Sequence, residues 1–270
     1  MGDPIKRGNV AVVTGAASGI GRALVHRLAD EGMRLVAADV DDAGLVALGD
    51  ELAHSGTPFV AERCDVADAG AVDHLADVTI ARFGQVDLLC NNAGIVVAPG
   101  RPLWDHDQHA WTRLVGVNLL GVANGLRAFV PKLIDNPAGG WVVNVASMAG
   151  LAGIPFLGPY PSTKWAVVGL SEQLERELAE LGLGRHIGVT CVCPHLVATQ
   201  IVDAATRTDG DVVVEQSGDA GSFARRLASG IAPAEMADLI VRAVQERRPL
   251  LAVHPKLAEI AERRRQRLLD

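Results

Sequence analysis

Few folds accommodate the segment Thr14-Gly-Ala-Ala-Ser-Gly-Ile-Gly21, which joins the apolar run Val10–Thr14 to the helical pattern Arg22–Glu31. A strand, a glycine turn and a helix start, in that order, make an anion site. Glycine lets the backbone come close to a ligand, and the first-turn N–H groups and helix dipole receive negative charge. The spacing is Gly15-x-x-x-Gly19-x-Gly21 rather than the commoner G-x-G-x-x-G, and Gly32 suits the position just past the helix end. Three glycines in a loop are often turn chemistry alone. Their place between a strand and a helix favours a phosphate-binding turn.

The unit then repeats. Strand patterns at Arg34–Asp39, Pro58–Cys64, Val86–Cys90, Trp141–Ala146, Ile187–Cys193 and Leu250–Val253 alternate with helical patterns. The helical stretches are Leu45–His54, Ala69–Phe83, Trp104–Ile134, Tyr160–Leu181 and Pro233–Glu246. Such alternation predicts βαβ units, hence an α/β doubly wound fold around one parallel sheet of seven strands. At 270 residues, with no repeat or linker, the chain reads as a single domain over 1–270. Its 29 glycines and scarce aromatics suit a buried sheet whose loops approach a ligand closely. Lys256–Asp270 is amphipathic with a run Arg263-Arg264-Arg265, and reads as a solvated helix or a subunit contact.

A net charge of −7 argues against a nucleic-acid partner. Cys64, Cys90, Cys191 and Cys193 fall in or beside apolar strands and read as small buried hydrophobes kept reduced. Cys191-x-Cys193 shares one strand face, but no second pair has zinc-site spacing, so no metal is expected. The N-terminus lacks a signal-peptide pattern, and no apolar run reads as a membrane span; a cytoplasmic location without membrane contact is expected.

Two strands end in carboxylates. Asp39 lies about twenty residues past the glycine loop, where a dinucleotide site carries an acid for the adenosine ribose hydroxyls. It would repel a 2′-phosphate, and Ser18 and Val40 bring no cation to offset that, so NAD is favoured over NADP. The alternative is a solvated strand end or a helix cap, for which Asp41 and Asp42 also compete. Asp65 stands at the next strand end. Further on, Tyr160, the only tyrosine, precedes Lys164 by four residues at the start of a helix. Residues at i and i+4 share a helix face, and an ammonium there lowers a phenol from its usual ~10. Such a phenol can exchange a proton with a hydroxyl or carbonyl. By itself the pair reads more readily as an ordinary helix-surface pair.

Taken together, Thr14–Gly21, Asp65, Asn91-Asn-Ala-Gly94 and Tyr160-x-x-x-Lys164 resemble the short-chain dehydrogenase/reductase family in its short, single-domain form, across nearly the whole chain. The resemblance implies a Rossmann fold that binds NAD through Gly15, Ser18, Gly19, Ile20, Gly21, Asp39, Asp65, Val66, Asn92, Ala93 and Gly94. Tyr160, Lys164, Pro194, Val197 and Thr199 would border the nicotinamide, and Asn91 would be scaffold. It makes Tyr160 the general acid/base. Lys164 would lower its pKa and hold the nicotinamide ribose, and Ser147 would bond the substrate oxygen. Asn118 would open its helix and hold a water in a proton relay; read from the residues alone, it is a buried amide satisfied by backbone. No nucleophile elbow surrounds Ser147, so acyl transfer is poorly supported.

The implied activity is NAD-dependent interconversion of an alcohol and its ketone or aldehyde. Val96, Val97, Met148, Leu151, Ile154, Phe156 and Leu157 are apolar candidates for the substrate wall and point to a hydrophobic secondary alcohol. His195 stands where the family usually has glycine, and is a further substrate candidate. Residues 199–223 correspond in place to the family's substrate lid. His106 and His109 read as solvated. The resemblance also implies a homotetramer built on the helices of Trp104–Ile134 and Tyr160–Leu181. A silent dinucleotide-binding sensor or scaffold is the rival reading, opposed by the presence of all four catalytic residue types. Nucleotide-sugar epimerase or dehydratase chemistry is a second rival, opposed by the missing longer C-terminal substrate domain.

Overall fold

The computed structural model describes residues 2–97, 100–199, 225, 228–254 and 256–269. Its strands send alternate side chains to opposite faces, which fixes two apolar layers. In β1 (Val10–Thr14) Ala11 and Val13 join one layer and Val12 the other. In β2 (Arg34–Asp39) Leu35 and Ala37 face the first, Val36 and Ala38 the second. The first layer is closed by α1 (Gly19–Asp30), α2 (Asp42–Ala53) and α7 (Pro233–Gln245), through Leu24, Leu28, Leu48, Ile240 and Val244. The second is closed by α3 (Ala69–Phe83), α5 (Gly121–Asp135) and α6 (Tyr160–Glu180), through Leu75, Phe129, Leu133 and Leu178. Each such fully buried side chain contributes roughly 1.5–3 kcal/mol from area removed from water.

The other strands are β3 (Phe59–Arg63), β4 (Leu88–Asn91), β5 (Gly140–Val145), β6 (Ile187–Cys193) and β7 (Leu250–Ala252). All pairings are parallel, in the order β3-β2-β1-β4-β5-β6-β7, so the seven-stranded doubly wound sheet read from the sequence is present. From β1 the chain winds outward to β2 and β3, then returns to lay β4 on the other side of β1. A crevice opens at the carboxyl ends of strands where winding reverses in this way.

Helix ends follow the side-chain chemistry. Asp41, Asp68 and Asp107 cap α2, α3 and α4 (Gln108–Val115), accepting from Gly44, Gly70 and Ala110 backbone N–H groups. Gly32, at φ 74°, follows α1 as expected. α1 begins at Gly19 rather than Arg22, so the last loop glycines belong to its first turn. A larger correction concerns the helix expected from Trp104. Leu103–Asp105 is a separate 3₁₀ turn, and helix starts only after the Asp107 cap. The helix is then interrupted by a π turn at Gly116–Leu120 before α5. By length and composition Gln108–Asp135 is also long and apolar enough to cross a membrane, contrary to the sequence expectation. In this fold its α5 part packs Phe129 and Leu133 against the sheet.

Buried polar groups stitch the centre. Asn91 Nδ2 donates to Asn144 Oδ1 at 2.9 Å, and Asn144 Nδ2 donates to Ser171 Oγ at 3.0 Å, tying β4 to β5 and α6. The scaffold role expected of Asn91 has this physical form. The four cysteines are buried and free, and burial pushes the Cys64 and Cys90 thiols up to about 11 and about 12. α8 (Leu257–Leu269) packs Leu257 and Ile260 over Met148 and Cys193.

Candidate active site

A cleft of about 960 Å³ runs along the carboxyl edge of the sheet, from Asp39 and Asp65 at one end to Ser147, Tyr160 and His195 at the other. That volume lies near the top of the usual range for a small-molecule site.

The first end is built by the glycine loop. Gly15, at φ 64°, turns so tightly that a Cβ there would lie 2.7 Å from Ala93 Cα. A Cβ on Gly21 would collide with the Gly15 carbonyl oxygen. Ser18 at the α1 N-cap makes no side-chain cap, and no acidic residue stands in the first turn, which leaves that turn suited to an anion. Gly15, Ser18, Gly19 and Ile20 line the cleft, whereas Gly21 lies beneath the loop and packs it. Asp39 Oδ2 accepts the Ala17 N–H at 2.9 Å, binding strand end to glycine loop. Asp41 takes the α2 cap, so Asp39 is free of that duty and lines the cleft. Asp65 Oδ1 accepts from Ala67 N at 2.9 Å, and Asp65 and Val66 line the wall beside it.

Thr14 is a joining residue that the sequence reading passed over. Its Oγ1 accepts from the Asn92 and Ala93 N–H groups at 3.0 and 3.1 Å. Asn92 Nδ2 answers by donating to the Thr14 and Gly15 carbonyls. The two loops at the winding reversal are thereby fastened together, and Asn92, Ala93 and Gly94 form the cleft floor. A hydroxyl at a strand end beside the glycines was the available signal.

At the other end Ser147 follows β5, and Tyr160 and Lys164 open α6 one turn apart. All three line the cleft. Lys164 Nζ donates to the Val145 carbonyl at 2.9 Å and lies 5.8 Å from the Tyr160 ring centre. Burial drives the two ionisations in ways the spacing argument did not foresee. It pushes the Tyr160 phenol up, opposed by a hydrogen bond with Ser147, and it pushes Lys164 down to about 8. The expected lowering of the tyrosine by its lysine is not seen: burial raises the phenol, and the group that opposes it is Ser147 rather than Lys164.

Asn118 is fully buried in the π turn and stands behind the cleft wall rather than on it. Its Oδ1 accepts from Ile95 N at 2.8 Å, and its Nδ2 donates to Ile95 O at 2.9 Å and Thr163 Oγ1 at 3.2 Å. The backbone-satisfied amide of the sequence reading is thus realised, in an opened helix. Gly94 sits between the two side chains: a Cβ there would be 3.2 Å from Lys164 Nζ and 3.4 Å from Asn118 Oδ1.

Val96, Met148, Ile154, Phe156 and Leu157 line the outer wall of the cleft. Val97 and Leu151 are not part of the lining and instead pack into the apolar clusters that hold lining residues such as Val96, Leu157 and Met148. Phe156 holds φ 63°, a left-handed conformation unusual for an aromatic residue, while its carbonyl accepts from Gly100 N at 2.7 Å. Pro194, His195, Val197 and Thr199 close the far side. The His195 ring meets that of His254, centroids 4.1 Å apart. His109 is exposed, as expected, and lines the cleft on the face of α4 shared with Thr112 and Arg113; it is His106 that departs from the solvated reading. His106 packs against Gly158 with its Nε2 buried and without a hydrogen-bond partner among the described residues. Of the lid expected at 199–223, only Thr199 belongs to the described residues.

A glycine turn at the winding reversal, a strand-end acid and a serine, tyrosine and lysine gathered across one cleft define a dinucleotide-binding oxidoreductase. The sequence model of short chain dehydrogenases matches residues 9–210, and the chain belongs to the short-chain dehydrogenase/reductase family, which binds nicotinamide dinucleotides. A short-chain dehydrogenase/reductase from Burkholderia phymatum in complex with NAD is similar over all of this chain and 96% of its own, with a TM-score of 0.90 and 36% identity. A probable oxidoreductase EphD of Mycobacterium tuberculosis is 37% identical over 249 residues, 90% of this chain; the chain spans only 40% of that relative. 3beta-hydroxysteroid dehydrogenase 2 of Eggerthella lenta is 35% identical over 199 residues, covering 74% of this chain and 75% of the relative.

Proposed function

We propose that this chain is a single-domain NAD-dependent dehydrogenase or carbonyl reductase acting on a hydrophobic secondary alcohol or the matching ketone. The observation that carries the reading is the meeting of Ser147, Tyr160 and Lys164 at one end of a cleft whose other end presents Asp39. Asp39 and the glycine loop receive the adenosine half of the cofactor, with Asp65, Val66 and Asn92–Gly94 along its flank. Pro194, Val197 and Thr199 border the nicotinamide. Bound NAD supplies the hydride acceptor, or in its reduced form the donor.

Tyr160 exchanges the proton at the substrate oxygen, and the Ser147 hydroxyl orients that oxygen by a hydrogen bond. Lys164 holds the nicotinamide ribose, and its ammonium favours the phenolate when the tyrosine acts as base. Asn118, which donates to Thr163 next to Lys164, supports the relay by keeping its own helix open. Val96, Met148, Ile154, Phe156 and Leu157 suit an apolar substrate body. The name of the Eggerthella relative, a hydroxysteroid dehydrogenase, supports a bulky alicyclic class. A cytoplasmic homotetramer is the form in which we expect it to work.

The test is an NAD-linked screen of alcohols, sterols and cyclic terpenoids, followed by Tyr160→Phe on a turned-over substrate. We expect turnover to fall ~10²–10⁴-fold while NAD still binds. NAD should also bind more tightly than NADP, by a margin that Asp39→Ala narrows. Equal affinities, or a Tyr160→Phe enzyme keeping more than about a tenth of the wild-type rate, would contradict these assignments.

A further inference from the structure

β6 ends at Cys193, and His195, two residues on, reaches the cleft. Its parallel neighbour β7 ends at Ala252, with His254 two residues on. Because Cys193 pairs with Ala252 in register, the two strand exits run side by side. The imidazoles meet there, centroids 4.1 Å apart and planes inclined by 68°. An edge-to-face contact at that distance restricts how either ring turns.

His254 is held from behind. Its Nδ1 accepts the Lys256 backbone N–H at 2.9 Å, so the neutral ring carries its hydrogen on Nε2. Beyond it, Leu257 and Ile260 anchor α8 on the cluster that contains Met148 and Cys193. His254 backs His195 rather than lining the cleft itself. It also lies past residue 210, where the match to the family's sequence model ends.

The substrate end is otherwise apolar on the side of Met148, Ile154, Phe156 and Leu157. Ser147 and Tyr160 serve the reacting oxygen, and the His195 imidazole is a further polar group on the same cleft. We propose that His195 determines specificity by hydrogen-bonding a second oxygen on an otherwise hydrophobic substrate, and that His254 is the positioning residue that aims its ring. The proposal rests on the oxidoreductase reading and narrows the substrate class to hydroxy- or oxo-substituted hydrophobic alcohols and ketones.

The experiment takes two ketones from the NAD-linked screen that differ only in a hydroxyl remote from the reacting carbon. Steady-state kinetics are compared for wild type, His195→Gly, His254→Ala, His254→Phe and the His195→Gly, His254→Ala double variant. The kcat/KM ratio, hydroxylated over plain, should fall about two- to tenfold in His195→Gly and His254→Ala, mainly through KM. The double variant should fall no further than His195→Gly alone, and His254→Phe, which keeps a ring, should retain more of the ratio than His254→Ala. A ratio unchanged in His195→Gly overturns the proposal. So do losses that add independently, or proportional losses on both ketones as a purely structural role for His254 would give. A screen without any turnover sinks the oxidoreductase reading itself, whereas hits with an unchanged ratio sink only the role of the histidine pair.

Discussion

Burial works on Tyr160 and Lys164 in the same chemical direction, toward the neutral form of each. The phenol is pushed up and the ammonium down to about 8, against a usual lysine value of 10.5. Below pH 8 folded and unfolded chains both carry the proton on Lys164. Between about 8 and the unfolded value only the unfolded chain carries it, so this group makes stability rise with pH there. We expect the stability difference, wild type minus Lys164→Met, to climb by up to about 1.4 kcal/mol per pH unit above pH 8. Urea denaturation of both proteins at a series of pH values measures it, and a flat difference would refute the buried, depressed lysine. The pairing of Tyr160 with Lys164 was legible in the sequence because helical spacing alone puts i and i+4 on one face. The direction of the tyrosine shift was not, because desolvation depends on chain segments far from it in sequence. Thr14 was missed for a similar reason: its partners Asn92 and Ala93 lie some seventy-eight residues away.

The elements themselves were largely readable, since period-2 and period-3.6 patterns survive in each strand and helix. The π turn at Gly116–Leu120 left only the oddity of a polar residue in an apolar run. What makes it stable is the two-way pairing of the Asn118 amide with the Ile95 backbone, a contact no local pattern encodes. Asn118→Ala should leave a half-buried N–H and carbonyl of Ile95 without the amide that pairs them. The expected cost is about 1–3 kcal/mol, read as a lower urea midpoint at unchanged m. A loss of turnover should accompany it, since the same turn stands beside Lys164. An alanine variant as stable as wild type would show that the backbone there finds other partners.

At the scale of the whole molecule, Ile134 on α5, Trp165 on α6 and Leu181 just past it leave apolar surface exposed. Because the sheet is already sealed on both faces, we expect that surface to be covered by another subunit. Light scattering at micromolar concentration should give the mass of four chains, and Trp165→Glu should lower it; a monomeric wild type would contradict the expectation. The placing of β1 next to β4 also has a kinetic side. The two strands are separated in the chain by two complete strand–helix units, and their parallel pairing must close that long loop before any cofactor cleft exists. Nucleotide can bind only after closure, so it acts as a clasp on the finished sheet. At a hundredfold excess over its Kd it should add ~2.7 kcal/mol. Chains that open to a protease only through the unclasped state should then survive markedly longer with NAD present than without it, which ties the lifetime of the protein to the supply of its own cofactor.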